Sequence, residues 1–295
     1  MIFTKAQWAI NQRQSEEATL SSFEAIRNNF MRGTVGKAIR PWFVVDFTKI
    51  LPTEATMFGF EIETGFGTVA AQQETMQWLW DNTDYVTADM EGCGERPTEI
   101  TFPPLTLAEL DEDNQLKQWL AYNAALPVSR QAKFNTVTTR TPRGGVVGTH
   151  VNISTAAYRQ AIPVVRAEVA NTLARFFGNL DADRRLHLYG RQPYTEGVAQ
   201  RRGGNGDAAD RIEFKMFHST THIEQFNNYC KVAKRLAEII DSLVANPQQQ
   251  LNVAATFDYL TIDLDGRSVI AADNSAQYPE AWRNGYQNMR TQVAA

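Results

Sequence analysis

MFGFEIET, residues 57 to 64, is the stretch on which the reading of the fold turns. Side chains two apart on a strand point the same way, about 6.5 to 7 Å apart. An extended chain here therefore sets Glu61 and Glu63 on one face and Phe60 and Ile62 on the other. Solvated strand faces often carry glutamate pairs, so this pattern alone fixes a strand and not a site. Gly65-Phe66-Gly67 follows, and a helix is expected from about Val69 to Trp80.

Working outward, DYVTADME (84 to 91) and RPTEITF (96 to 102) read as a hairpin across Gly92-Cys93-Gly94-Glu95. The two glycines there supply the positive φ that a tight reversal wants. Pro103 and Pro104 are expected to end the return strand. Within 146 to 154, Thr149, Val151 and Ile153 face opposite His150 and Asn152, and RIEFKMF (211 to 217) sets Glu213 and Lys215 against Ile212, Phe214 and Met216. Thr106 with Glu109 has capping-box spacing and predicts one helix running toward Ala125. A second helix is expected over 156 to 177, stopped by Gly178. A third opens at the Thr221/Glu224 capping box, runs to about Val244 and buries Cys230.

Residues 14 to 32 read as a helix ended by Gly33, and 41 to 47 as a strand. Residues 181 to 210 show no period and read as a long Arg- and Gly-rich loop. YLTIDL and RSVIAA flank Asp265-Gly266 and read as a hairpin. Hairpins interleaved with helices argue for an α+β fold, a curved and mainly antiparallel sheet with helices packed on its convex face. The organisation expected is an N-terminal helical arm over 1–50, a core over 51–246, and a C-terminal hairpin and extension of the same domain over 247–295.

With 295 residues, 43% of them hydrophobic and 21% charged, the chain can bury a core without disulfide staples. No apolar run is long enough to span a bilayer. The net charge of −4 gives no global drive toward nucleic acid or anionic membrane. MIFTKAQWAINQRQ shows no apolar segment with a cleavage site, so a cytoplasmic location is expected. Two cysteines, Cys93 and Cys230, make neither a disulfide framework nor a zinc-finger spacing.

The chemistry lies in the sum of the strands. Each of four segments puts an apolar face toward a core and holds Glu, His or Lys on the other. If those faces line one sheet, Glu61, Glu63, Glu91, Glu99, Glu213 and His150 converge, and so many anions need counter-charge. Glutamate oxygens with few nitrogens suit Mg2+ or Mn2+ over zinc or copper, and magnesium commonly shares substrate phosphate oxygens. Arg184, Arg185, Arg191, Arg201 and Arg202, followed by Gly203, Gly204 and Gly206, fit a phosphate cradle, which points to ATP. A solvated basic loop or a nucleic-acid contact is the other reading of that segment. Acidic residues at 109 to 113 fit a helix N-terminus. Gly65-Phe66-Gly67-Thr68-Val69-Ala70 matches a dinucleotide fingerprint, but the first strand of that fold is buried on both faces, and Glu61 and Glu63 conflict with it. No P-loop spacing occurs.

FGFEIET, Glu91 and Glu99, GTHVNIS and RIEFK, in that order, resemble the amidoligase family and, more distantly, glutamine synthetase and glutamate-cysteine ligase. The resemblance spans about residues 56 to 235. It implies a glutamine-synthetase-like catalytic fold that holds ATP and Mg2+ or Mn2+ and joins a carboxylate to an amine through an acyl phosphate. By motif position it implies that Glu63, Glu91 and Glu99 hold one metal, and Glu61, His150 and Glu213 the metal nearer the nucleotide. Arg191, Arg201, Arg202 and Lys215 are the expected catalytic cations, with Arg191, Arg202 and Lys215 on the nucleotide. Lys215 stands where the family has arginine and Asn152 where a second histidine is common. Lysine cannot fork to two phosphate oxygens. Asp89 and Glu95 are candidate bases, and Cys93 a candidate nucleophile. The expected partners are a small-molecule or peptide carboxylate and an amine, with neither membrane nor nucleic acid, and an oligomer is compatible with the sequence. The alternative is a non-catalytic structural or partner-binding protein that keeps the ligase scaffold.

Overall fold

Phe58, Phe60 and Ile62 are wholly buried while Glu61 and Glu63 stay half-buried, so the expected two-residue alternation organises β1 (Met57–Thr64). The computed structural model describes residues 55–83, 87–89, 98–132, 148–189, 197–202, 209–218, 220 and 223–264. In chain order β1 is followed by α1 (Val69–Asn82), β2 (Thr87–Asp89), β3 (Thr98–Thr106), α2 (Leu107–Asp111), α3 (Gln115–Ala125) and β4 (Gly148–Ser154). Then come α4 (Ala156–Gln160), α5 (Pro163–Gly178), α6 (Ala182–Tyr189), β5 (Val198–Arg202), β6 (Ala209–His218), α7 (Ile223–Ala245) and α8 (Val253–Thr261).

The strands form one open sheet in the order β2-β3-β1-β4-β6-β5, and every neighbouring pair is antiparallel. Helices cover the apolar side of this sheet. Phe226 of α7 meets Phe60 edge-on at 4.9 Å between ring centroids, Phe177 of α5 meets Phe214 at 5.7 Å, and Trp119 of α3 lies 5.9 Å from Phe102. All these rings are buried, and burying an aromatic side chain is worth about 1.5 to 3 kcal/mol. The fold is α+β, as the hairpin signals required, and β2 pairs with β3 as the first of them predicted. No helix among the described residues is long and apolar enough to cross a membrane.

Several boundaries differ from the sequence reading. β3 does not stop at Pro103 but runs to Thr106, because the register with β1 slips between Phe60↔Phe102 and Phe58↔Leu105. Pro103 and Pro104 sit opposite Gly59 alone, in a bulge where a missing N–H removes no ladder bond. The expected helix from 106 to 125 is two. The capping box starts α2, and Asn114 then caps α3 by accepting the Lys117 amide at 3.1 Å. Buried Lys117 closes the break by donating to the Leu110 carbonyl at 2.7 Å and the Glu112 carbonyl at 2.9 Å. Likewise 156 to 177 splits before Pro163, which takes the first position of α5 where its missing N–H is harmless.

Residues 181 to 210 contain α6 and the edge strand β5, not an unbroken loop. YLTIDL is not a strand: Tyr259 to Thr261 end α8, and Asp263, at φ 59°, turns the chain. Its expected partner RSVIAA, the helix over 14 to 32 and the strand over 41 to 47 lie outside the described residues.

Candidate metal centre and adjoining pocket

Strand register brings the candidate ligands together. Glu61 pairs with His150 across β1 and β4, Glu63 with Glu99 across β1 and β3, and Asn152 with Glu213 across β4 and β6. All project on the side of the sheet away from the helices, because the intervening residues fill the core. His150 Nδ1 lies 3.0 Å from Glu61 Oε2 and 3.6 Å from Glu213 Oε1, while Nε2 lies 3.6 Å from Glu63 Oε1. Two trios, Glu61/His150/Glu213 and Glu63/Glu99/His150, each offer ligand atoms within 4.8 Å of one another.

The electrostatics follow from this crowding. Glu99 and Glu213 are each only 3% exposed, and a buried carboxylate demands compensation. Burial disfavours a charged His150, but its hydrogen bond to Glu61 and the charges of Glu63, Glu61 and Glu213 outweigh that, so its pKa is raised. The Gly148 amide donates to Glu63 Oε2 at 2.7 Å. Arg201 of β5 donates through Nε to Glu213, and Lys215 Nζ lies 3.5 Å from the same carboxylate. Among the described residues, Arg201 and Lys215 are cations that pair with Glu213 in this group of four carboxylates. Oxygen donors with one imidazole fit Mg2+ or Mn2+, so the residues present suit the ions the sequence implied.

Of the expected site residues, Glu61, Glu63, Glu99, His150, Glu213, Arg201 and Lys215 meet here. The backbone of Arg202 continues β5 beside them. Glu91, Arg191, Cys93, Glu95 and the glycines of 203 to 206 lie outside the described residues. Asp89 pairs by register with Glu99 at the other edge of the sheet. Arg184 and Arg185 do not belong to a phosphate loop. They sit on α6, where Arg184 bonds Asp181 at 2.8 Å and lies 5.6 Å from the Phe257 ring, while Arg185 donates to the Gly178 carbonyl at 2.9 Å. Cys230 is core, as expected, with its thiol pushed up to about 12 by burial. The dinucleotide reading falls too, because β1 lies between two antiparallel neighbours while that motif needs a parallel unit.

Sequence reasoning missed the pocket beside Glu61. Asn152, Ser154, Asp210 and Arg211 line its polar side, and Met57, Phe102 and Pro104 its apolar side. Arg211 donates through Nε to Asn152 Oδ1 at 3.2 Å and through Nη1 to Asp210 Oδ1 at 3.0 Å. The available signal was position: Arg211 precedes Glu213 by two residues and so shares its face. Gly59 also lines the pocket, and a Cβ there would lie 3.3 Å from that of Asn152.

Fold and site together define an α+β protein with an open antiparallel sheet whose polar face carries a carboxylate–histidine group suited to divalent cations. No family model and no curated protein sequence matches the chain. Among solved structures, the crystal structure of the complex between the prokaryotic ubiquitin-like protein Pup and its ligase PafA matches at 12% identity with a TM-score of 0.34. That alignment covers 71% of this chain and 52% of the other, about half of its length.

Proposed function

We propose that the chain is an ATP-dependent carboxylate–amine ligase. The observation that carries the proposal is the meeting of Glu61, Glu63, Glu99, Glu213 and His150 from four strands on one face, beside a pocket and two cationic side chains. The order of the motifs, which resembles the amidoligases, supports the same reading.

Glu61, His150 and Glu213 hold one divalent cation in this proposal, and Glu63 and Glu99, joined by Glu91, hold another. Such ions, when bound, screen the negative charge of a polyphosphate and of the phosphoryl group being transferred. The chain's own groups do the rest. Arg201 and Lys215 turn from Glu213 toward phosphate oxygens, with Arg191 and Arg202 assisting, and supply fixed positive charge where phosphoryl charge develops. The pocket takes the nucleotide base, with the planar Arg211 guanidinium as a stacking surface and Pro104 on its apolar side. A substrate carboxylate takes the terminal phosphoryl group, releasing ADP. An amine then displaces phosphate from the acyl phosphate, loses a proton and leaves an amide or isopeptide bond.

Thermal unfolding with ATP and Mg2+ tests binding, since a ligand held only by the native state raises stability by mass action. Mass spectrometry of products from ATP with mixed amino acids, peptides and amines tests the reaction. The ligase reading requires ADP, phosphate and a condensed product. No shift at millimolar ATP and no product would refute it and favour the non-catalytic scaffold.

A further inference from the structure

Arg159 is not among the residues that line the pocket, yet it bonds Ser154, which is, and ties together segments at that end of the sheet. It lies in α4, directly after β4. Its Nη1 donates to the Ser154 carbonyl at 2.9 Å and to Ser154 Oγ at 2.8 Å, while Nη2 donates to the Ala55 carbonyl at 2.6 Å. Ser154 Oγ in turn donates to the Asp210 carbonyl at 2.5 Å. Ala55 leads into β1, Ser154 ends β4 and Asp210 lies at the start of β6, so the guanidinium joins two chain segments directly and a third through Ser154 at one end of the sheet.

Ser154 and Asp210 are pocket residues, and Asp210 holds Arg211. Burial disfavours the charge of Arg159, and the charges of Asp210 and Asp241 offset only part of that, so its pKa is lowered. A forked donor is suited to this task because it serves two carbonyls and a hydroxyl at once, which an ammonium group cannot do in one plane.

We infer that Arg159 is a positioning residue for the ligand in the Arg211 pocket: it fixes Ser154 and Asp210, and through Asp210 the plane of Arg211. The inference rests on the nucleotide reading above, in which that pocket takes the base. A site held by a rigid supporting layer binds more tightly than the same groups left loose.

The test is calorimetric binding to the full chain and to Arg159→Met and Arg159→Lys, with Mn2+ alone, then tripolyphosphate with Mn2+, then ATP with Mn2+. The lysine variant keeps the charge without the fork and serves if the methionine variant does not fold. Both variants are expected to bind Mn2+ and tripolyphosphate within about twofold of the unaltered protein and ATP about tenfold more weakly, the size seen when supporting hydrogen bonds are removed. ATP and tripolyphosphate weakening in step, or ATP binding unchanged, would overturn the inference while leaving the nucleotide reading intact. An unaltered protein that binds tripolyphosphate and ATP equally well would overturn the base pocket, and the role of Arg159 with it.

Discussion

Glu99→Gln isolates the electrostatic cost of assembling the carboxylate group. Glu63 and Glu99 are direct cross-strand partners, and the ligand atoms of their trio lie within 4.8 Å of one another. Two unit charges at that separation repel by about 3.5 kcal/mol at an effective dielectric of about 20, and by about 1 kcal/mol in bulk water. Glu99 is 3% exposed, which places the pair nearer the first value. Glutamine keeps the shape and removes the charge, while Glu61, Glu63 and Glu213 remain to hold His150. In EDTA the variant should therefore be more stable than the unaltered protein by about 1 to 3 kcal/mol, with each kcal/mol worth about 2 to 4 °C in Tm. Mn2+ should reverse the order. The unaltered protein gains about 2.7 kcal/mol at a hundredfold excess over Kd, whereas the variant, short of one ligand, gains less at the same concentration. Thermal unfolding followed by circular dichroism across a Mn2+ series reads both arms. A variant less stable in EDTA whose Mn2+ shift is undiminished would refute the reasoning.

Glu213→Ala should abolish ATP turnover in a folded protein, since it removes a proposed cation ligand that also pairs with Arg201 and Lys215; retained turnover, measured by ADP release, takes Glu213 out of the site. Lys215→Arg should tighten ATP binding, because a fork replaces a point charge, and an unchanged Kd by calorimetry would separate Lys215 from the phosphates. Phe226→Ala, which empties the ring contact with Phe60, should lower unfolding free energy by about 3 to 5 kcal/mol in denaturant titration. For Cys230, burial favours the neutral thiol. That contribution to stability is intact below the ordinary thiol value of 9.0 and fades as pH rises toward about 12. In a Cys93→Ser background, iodoacetamide at pH 8 should leave Cys230 unmodified until the protein is unfolded, and rapid labelling of the native state would contradict its burial.

Much of the sheet was legible because β1, β4 and β6 each alternate apolar and polar side chains, and a two-residue period survives in any partner arrangement. That period also fixed which face each glutamate would share. Convergence needed more: the pairings Glu61↔His150, Glu63↔Glu99 and Asn152↔Glu213 show that these faces are contiguous. Local signals failed where long-range pairing decides. The bulge that tolerates Pro103 and Pro104 depends on the slip against β1, and VAQRR has no apolar rhythm because β5 is an edge strand. The breaks before α3 and α5 were written in Asn114 and Pro163, but a continuous apolar pattern masked them. Arg211 and Gly59 gained meaning only when four strands closed a pocket around them.

These carboxylates are proposed to hold divalent cations. Anomalous diffraction from crystals grown with MnCl2 and ATP tests this directly. The account requires one manganese peak among Glu61, His150 and Glu213 and another between Glu63 and Glu99. Crystals with manganese bound only at other residues, or with ATP bound and no peak on this face, would contradict it.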